Sequence, residues 1–342
     1  MSLQLDRTLI GEDAGQIVER LIGEALRLRG MNNASYDDVL RNPGLLHQRE
    51  TSHQRQFAEL PENALTTFSN EVLAEGRRQM PTIGLFQRRT VDNPLDAVVR
   101  IPRIAEYDLP EELQDPEGFR ALEVSRYDDV GRYIPWLVHV LKWTSTESGV
   151  LPSYVTDAMA EASESHGRKR EMMAFEGTSS YRVRNATYSS PGLDQAGINT
   201  TAPAVDWGSK AANQYGQYLS ETLNVTARFA GDQQTGTYDL LVSNVTYSQM
   251  GNDHSPGVAV RNRILADGRV RSIVPSDGIT APANAYFLNA GSRTVRWIDA
   301  IPPTVIMWAS DPGFTRYAML VSKAAPAIIP TVSGKYGVQR II

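Results

Sequence analysis

Residues 151–177, LPSYVTDAMAEASESHGRKREMMAFEG, decide the fold because they form one long uninterrupted helical pattern in an otherwise strand-rich chain. Pro152 and Ser153 predict its start, since proline cannot continue a preceding strand and a serine hydroxyl accepts a hydrogen bond from a first-turn amide. Gly177 predicts its end. A helix from Ser153 to Glu176 would be about 36 Å long.

The apolar stripe of this helix is thin and includes His166. Its remaining members are Val155, Ala158, Met159, Ala162, Met172, Met173 and Phe175. A helix with so little apolar surface at its centre cannot be buried on every side. We therefore expect it to lie across one face of a small sheet. The opposite side, with the i,i+4 pair Glu164 and Arg168, should face solvent or a neighbouring subunit.

The region before the helix lacks a core pattern of its own. Residues 13–30 predict an amphipathic helix, and residues 31–78 are so loosely patterned that we expect an arm that packs on another surface. Two β-like runs in residues 79–145 flank an acidic, proline-bearing connection. Because Pro102 and Pro135 cannot donate to a ladder, these runs predict edge strands or a free-standing ribbon that needs a partner surface.

The region after the helix predicts short strands mixed with one helix. Residues 181–188 and 238–247 predict strands, and residues 209–222 predict a helix. Residues 258–274 predict a hairpin that turns at Asp267-Gly268. Further short strands are expected at residues 285–288, 294–297, 304–309 and 315–321.

Composition excludes several classes of protein. The 342 residues include no cysteine, which removes disulfides, thiolate catalysis and zinc ribbons. No run of about 18 apolar residues predicts a membrane span, and the charged N-terminus does not predict a secretory signal. The net charge is −5, with 20 basic and 29 acidic residues in 1–176 and 14 and 10 in 177–342. Neither half is basic enough to predict tight nucleic-acid binding.

A search for reactive or metal-ligating residues returns no site. The histidines, at positions 47, 53, 139, 166 and 254, show no ligand spacing, and phosphate-binding and nucleophile-elbow motifs are absent. His166 favours a packing or interface role over a ligand role, and His139 favours a half-exposed strand position over a general base. The pairs Asp37-Asp38 and Asp128-Asp129 would point to opposite faces of extended chain. We predict no catalytic, cofactor-binding or metal-binding residues.

The remaining motifs favour ordinary structural roles. The Asn-x-Thr triplets at 185, 199, 224 and 244 indicate strand and turn composition rather than glycosylation, and the end of the long helix indicates core. The clusters Arg88-Arg89 and Arg168-Lys169-Arg170 favour solvated or inter-subunit charge, with contact to a packaged polyanion as the alternative. The tryptophans 136, 143, 207, 297 and 308 favour packing anchors over sugar platforms.

The order of these elements resembles the major capsid protein of tailed bacteriophages, the Hong Kong 97-type fold shared with encapsulins. The residues that carry the resemblance are Phe175-Glu176-Gly177 at the helix end and the GINTTAP segment from Gly197. The resemblance implies an α+β fold with an N-terminal arm at 1–78 and an extended β-ribbon, or E-loop, at 79–145. It also implies a peripheral domain at 146–204 and 300–342, with a spine helix at 153–176, and a strand-rich axial domain at 205–299.

The function implied by the resemblance is structural. Such subunits assemble as pentamers and hexamers into an icosahedral head shell around double-stranded DNA, with portal, scaffolding and decoration proteins as further partners. The virion would be assembled in the host bacterial cytoplasm. No lysine precedes Lys142, so we expect no covalent cross-link from the ribbon tip, and because the sequence begins at Met1 we expect no N-terminal cleavage.

Two other classes remain open from the sequence. An encapsulin-like compartment that encloses cargo enzymes is the alternative shell, although the long arm and ribbon favour the phage protein. A β-rich hydrolase or carbohydrate-binding protein is the alternative outside shells.

Overall fold

The computed structural model describes residues 70, 72–91, 93–94, 96–102, 129–144, 153–183, 185–194, 198, 200–203, 205–231, 236–255, 258–289, 293–309, 315–331 and 334–342. The predicted arm helix at 13–30 and most of the acidic connection lie outside these ranges. The described helices are α1 (72–78), α2 (Ser153–Glu176), α3 (Gly216–Gly231), α4 (Asn244–Met250) and α5 (Val260–Ala266).

The strands form two larger sheets and three small pairs. They are β1 (Gln87–Arg89), β2 (Val98–Pro102), β3 (Asp129–Tyr133), β4 (Trp136–Thr144), β5 (Tyr181–Val183), β6 (Ala186–Tyr188), β7 (Thr200–Thr201), β8 (Tyr238–Val242), β9 (Asp253–Ser255), β10 (Val258–Ala259), β11 (Val270–Pro275), β12 (Ala285–Asn289), β13 (Val295–Ala309), β14 (Thr315–Ile328) and β15 (Val338–Ile341).

The first sheet has the order β1-β13-β14-β4 and consists mainly of two long antiparallel strands. The predicted strands at 294–297 and 304–309 are one strand, β13, which has register shifts around Pro302-Pro303. The pairing with β1 ends at Ile298. Among the described residues, the prolines therefore lie beyond the pairing with β1 and at a register shift opposite β14, where no amide hydrogen is needed for a ladder.

Helix α2 lies on the first sheet over the predicted residues, Ser153–Glu176. Near its start Val155 and Met159 pack with Trp143 and Leu320. At its end Gly177 adopts φ +83°, and its amide donates 2.9 Å to the carbonyl of Met173. A left-handed glycine of this kind satisfies a terminal carbonyl and stops the helix, as the sequence predicts.

Helix α1 crosses α2 at two glycines. A Cβ atom on Gly167 would lie 2.2 Å from the carbonyl oxygen of Gly76, and one on Gly76 would lie 2.6 Å from Ser163 Oγ. Glycine at both positions is therefore required for the two backbones to approach so closely. The end of the predicted arm packs on the central helix of its own chain.

The second sheet has the order β11-β8-β12-β15-β7 and is covered on both faces. Side chains alternate between two cores, as strand geometry requires. Leu240 and Phe287 pack against helices α3, α4 and α5. Leu241 and Tyr286 pack on the other face with Phe175, at the end of α2.

The predicted hairpin at 258–274 is wrong. Helix α5 occupies its first half, and Val260 and Ile264, four residues apart, are both buried in the second-sheet core. Gly268, with φ +76°, follows the end of this helix rather than forming a hairpin turn. Strand β11 then pairs parallel with β8. The i,i+4 spacing of the apolar residues was the helical signal.

Other element boundaries also differ from the sequence predictions. The strand predicted at 238–247 ends at Val242, where Ser243 Oγ caps α4 by accepting from the Thr246 amide at 3.2 Å. The strand predicted at 181–188 is the hairpin β5–β6. The helix predicted at 209–222 begins at Gly216 and extends to Gly231.

The ribbon in the described part of the chain is narrower than predicted. Strands β2 and β3 pair antiparallel, but β1 and β4 belong to the first sheet. Pro135 separates β3 from β4, since its nitrogen has no hydrogen to donate. Ile101 packs against Ile298 of the first sheet, and Tyr133 stacks on Tyr181 of the β5–β6 hairpin at 4.6 Å between ring centroids.

None of the described helices has the length and apolar character needed to cross a bilayer.

Candidate functional site

The buried face of α2 carries a polar stripe that contacts strands of the first sheet and neighbouring loops. Ser163, His166, Arg170 and Glu171 are each about 2% exposed. Their spacing of mostly three and four residues places them on one side of the helix. Since buried polar groups need partners, the geometry around each one shows what the helix is fitted to.

His166 contacts the two long strands that lie beneath the helix. Its Nε2 atom lies 2.6 Å from Ser322 Oγ on β14, and its ring centroid lies 5.7 Å from that of His139 on β4. Burial, the charge of Arg170 and the charge of His139 lower the pKa of His166 to about 3. The imidazole is therefore neutral at pH 7, in agreement with the predicted packing role. His139 is half-buried on its strand, also as predicted.

Arg170 forms a buried ion pair with Asp299, which lies at the register shift of β13. Asp299 also accepts a hydrogen bond from Trp297 Nε1 at 3.1 Å and one from the Arg88 guanidinium at 3.2 Å. The Arg170 guanidinium lies 5.5 Å from the Trp297 ring centroid. Burial lowers the pKa of Arg170, and Asp299 opposes that effect. One carboxylate thus joins α2, β13 and β1.

Glu171 joins α2 to the chain on either side of it. Its Oε1 accepts from the Thr82 amide at 3.1 Å and from Ser276 Oγ, just after β11, at 2.6 Å. Burial raises the pKa of the Glu171 carboxyl. The same loop approaches the helix so closely that a Cβ atom on Gly278 would lie 2.5 Å from the Phe175 ring. Glu171 therefore lies at the joint between the two sheets.

Lys323 performs a similar task for the segment that leads into the ribbon. Its buried ammonium donates to the carbonyl oxygens of Pro94 and Asp96, at 2.9 and 2.8 Å, and lies 5.1 Å from the Trp136 ring centroid. The chain before β2 is thereby attached to β14.

These contacts are those of a structural joint. His166, Arg170 and Glu171 each have one atom paired with a particular strand or loop, while His166 Nδ1, Arg170 Nε and Glu171 Oε2 are buried without a hydrogen-bond partner among the described residues. A shift of the helix by one residue would leave the charges of Arg170 and Asp299 unpaired in the core. Such a mismatch is costly, and partnered polar groups can thereby specify one register. In the part of the chain that the structure describes, no group of three or more histidine, aspartate and glutamate side chains could hold a metal ion.

Known structures share this architecture. A chain from the capsid of Myoviridae phage XM1 matches with a TM-score of 0.51 at 14% identity, covering 75% of this chain and 89% of that one. The chain has the fold of a phage capsid protein. The sequence resemblance to such proteins is confirmed at the level of the fold, which is a mixed helix and sheet structure.

Two further solved structures match the chain with TM-scores below 0.5. A virus-like particle from Pyrococcus furiosus matches with a TM-score of 0.49 at 12% identity, covering 81% of this chain and 98% of that one. Mycobacterium phage Bobi matches with 0.47 at 13% identity, covering 77% and 90%. No protein-family model matches the chain, and no curated protein is similar to it in sequence.

The residues singled out from the sequence have separate environments in this capsid fold. Met173, Phe175, Trp143, Trp207 and Trp297 are buried, which confirms their packing roles, whereas Met172 and Trp136 are half-buried. His47, His53, the pair Asp37-Asp38, Asp128 and Asn199 lie outside the described residues, as do the side chains of Asp129, His254 and Trp308.

The three residues of the basic cluster on α2 have different environments because they lie on different sides of the helix. Arg168 and Lys169 are exposed, and Arg168 pairs with Glu164 at 3.6 Å as predicted. The interpretation of Arg170 as solvated or inter-subunit charge is wrong, because its side chain is buried against Asp299. Arg88, although two-thirds exposed, pairs with Asp299 within the chain.

Sequence reasoning missed Glu171, Asp299 and Lys323 as joint residues. One signal was available for the helix: positions 159, 163, 166, 170 and 173 repeat at three- to four-residue spacing, and only the first and last are apolar. The apolar stripe appeared thin because half of the buried face is polar. Asp299 and Lys323 carried no local signal, since their partners are far away in sequence.

Proposed function

We propose that this chain is a major capsid protein that self-assembles into the icosahedral head shell enclosing the double-stranded DNA of a tailed bacteriophage. The observation that carries the proposal is the fold shared with the phage XM1 capsid. At 14% identity that likeness concerns the fold, so the assembly itself is what the experiment must test.

Open strand edges support an assembling subunit. On the side away from β14, strand β4 has no partner strand among the described residues along its nine-residue length. Val140 on that strand is 40% exposed, and Tyr154 at the start of α2 is 57% exposed. Unpaired edges and exposed apolar side chains are features that neighbouring copies can cover.

The proposal assigns the described elements to the parts of a Hong Kong 97-type subunit. Helix α2 is the spine helix at 153–176 of a peripheral domain that comprises 146–204 and 300–342. The arm is 1–78, the E-loop region is 79–145 with the ribbon pair β2–β3 inside it, and the axial domain is 205–299. The ribbon pair and the part of the arm before α1 would lie across neighbouring copies, because a two-stranded ribbon is marginally stable alone.

The proposed partners follow from the same assignment. The subunit would form pentamers and hexamers, contact portal, scaffolding and decoration proteins, and enclose DNA without sequence specificity. It would be a component of the virion, assembled in the host bacterial cytoplasm, without enzymatic activity or cofactor. Lys142 lies on β4 rather than in the ribbon pair, so we propose a shell without covalent E-loop cross-links. A ladder of covalent oligomers on denaturing gels of mature particles would contradict that part.

Electron microscopy of the purified protein, with absorbance at 260 nm recorded on the same particles, tests the proposal. Closed shells or capsomer rings are expected, and particles from infected cells should contain DNA. Shells that contain a cargo enzyme and no nucleic acid would identify an encapsulin-like compartment instead. A monomer under all conditions would overturn the proposal.

A further inference from the structure

Three arginines lie together where β1 meets the start of β13. Gln87 pairs with Arg296 and Arg89 with Ile298, so Arg89 and Arg296 lie two rungs apart on the same face of the sheet. Arg293 precedes β13 by two residues and is exposed. We call Arg89, Arg293 and Arg296 the arginine triad.

The triad lacks a counter-charge within the described residues. None of its three side chains makes an ion pair or hydrogen bond there, and the Nε of Arg296 is buried without a partner. Burial, together with the positive charges of Arg89 and Arg293, lowers the pKa of Arg296. Three like charges held together in this way are unfavourable until an anion joins them.

Arg88, next to Arg89 in sequence, differs from the triad because it has a carboxylate partner. Arg88 belongs to the same short strand but faces α2, where Asp299 pairs with it at 3.2 Å. The structure therefore supplies a carboxylate to the arginine on one face of β1 and none, in its described part, to those on the other. Arginine forks suit bidentate contact with carboxylates, so an acidic partner matches the triad.

We propose that the arginine triad receives the acidic segment 106–117 of a second copy of this chain. That segment, EYDLPEELQDPE, contains six carboxylates and no lysine or arginine. The proposal rests on the proposed function, because a shell places identical copies side by side. Charge complementarity of this kind favours one register between copies and rejects others.

Chain length allows the contact. The segment belongs to residues 103–128, which connect the ends of β2 and β3. Thirteen residues on each side could reach about 40 Å if fully extended, roughly the diameter of a small domain or more. A neighbour's triad is therefore within the range of the connection.

Assembly with reversed charges provides the test. Arg89→Glu with Arg293→Glu reverses the charges of the half-buried Arg89 and the exposed Arg293 and leaves Arg296, whose Nε is buried, in place. Glu111→Lys with Glu112→Lys reverses part of the segment. Arg77→Glu with Arg182→Glu, two exposed arginines elsewhere, makes the same change in charge as the triad variant and serves as its control. Thermal unfolding checks that each subunit folds.

Each reversal should lower the fraction of protein sedimenting as shells by about tenfold, and the control should not. A chain carrying both reversals should recover assembly. A mixture of the two single reversals should also recover it, because each subunit then offers the charge that the other lacks.

Three results would overturn the proposal. The triad variant could assemble as well as its control. Recovery in the combined chain without recovery in the mixture would indicate a contact within one chain. Normal shells that lose nucleic acid, seen as a fall in absorbance at 260 nm, would identify phosphate as the partner.

A second measurement separates this proposal from the proposed function. A synthetic peptide of residues 106–117 should bind the wild-type protein about tenfold more tightly than the triad variant at low salt. Peptide binding without any shell formation would reject the capsid function and keep the contact. Formation of shells without peptide binding that depends on the triad would keep the capsid function and reject the contact.

Discussion

The second sheet and the joint between α2 and the first sheet are both buried, but different chemistry fills them. The Trp207 ring packs edge to face against Tyr218 of α3 and Phe287 of β12, with ring centroids 5.1 and 6.2 Å away. Beneath α2, His166 and Arg170 instead meet particular partners on β14 and β13. Apolar packing stabilises many similar arrangements, whereas partnered charges stabilise one. We therefore expect the joint to specify the position of α2 more than it adds stability.

The largest expected loss of folding stability comes from a substitution in the second sheet. Phe287→Ala removes a fully buried ring and should lower the free energy of unfolding by about 3–5 kcal/mol, without dependence on pH. Urea denaturation measures it. Val245→Ala, at a side chain 49% exposed, is the control and should change stability by less than about 0.5 kcal/mol. Similar losses in both would mean that the second sheet is not the stable core.

The stability of the joint should depend on the ion pair between Arg170 and Asp299 rather than on the amount of apolar surface that is buried. Arg170→Met leaves Asp299 with Arg88 and the Trp297 indole as its remaining partners and should cost about 2–3 kcal/mol in the same assay. Adding Asp299→Leu should recover at least half of that loss, because no buried charge is then left unpaired. If the two losses add instead, the ion pair is not what holds the helix.

The stability that the joint contributes should also depend on pH. The pKa of His166 is about 3 in the fold and 6.5 as its ordinary value. Below pH 6.5 the unfolded chain binds a proton that the folded chain excludes, so stability falls as pH drops, by about 2 kcal/mol at pH 5. His139, whose pKa burial also lowers, acts in the same direction, and Glu171, with a raised pKa, opposes them.

His166→Gln isolates this contribution. The amide can still bond Ser322 but does not titrate, so the difference in stability between pH 8 and pH 5 should shrink by about 2 kcal/mol. Melting temperatures across that range measure it. An unchanged pH profile would place the acid sensitivity elsewhere.

The smallest effect is expected on the exposed side of the same helix. Glu164→Ala removes the 3.6 Å pair with Arg168, whose side chains are 39% and 62% exposed. Solvent screens such pairs, so the loss should stay below about 0.5 kcal/mol. A loss as large as that of Arg170→Met in the isolated subunit would show that burial does not distinguish the two charges.

Local patterns predicted those elements whose signals are close together in sequence. The limits of α2 follow from Ser153 at one end and Gly177 at the other, and the edge character of the ribbon follows from its prolines. The hairpin predicted at 258–274 failed because Asp267-Gly268 is compatible with a helix end as well as with a turn. The sequence predicted two separate strands in place of the continuous β13. The prediction failed because Pro302-Pro303 is tolerated where the described residues provide no further partner strand.

The amino-acid sequence alone specifies the long helix and the order of elements that resembles a capsid subunit. Periodicity, caps and composition are local properties, so they can be interpreted without coordinates. The burial of Arg170, the contacts of Asp299 with three elements and the lack of a carboxylate beside the arginine triad in the described chain are visible only in the folded structure. Each of these depends on residues that are distant in sequence, and burial determines whether a charge is solvated, paired or left to a partner.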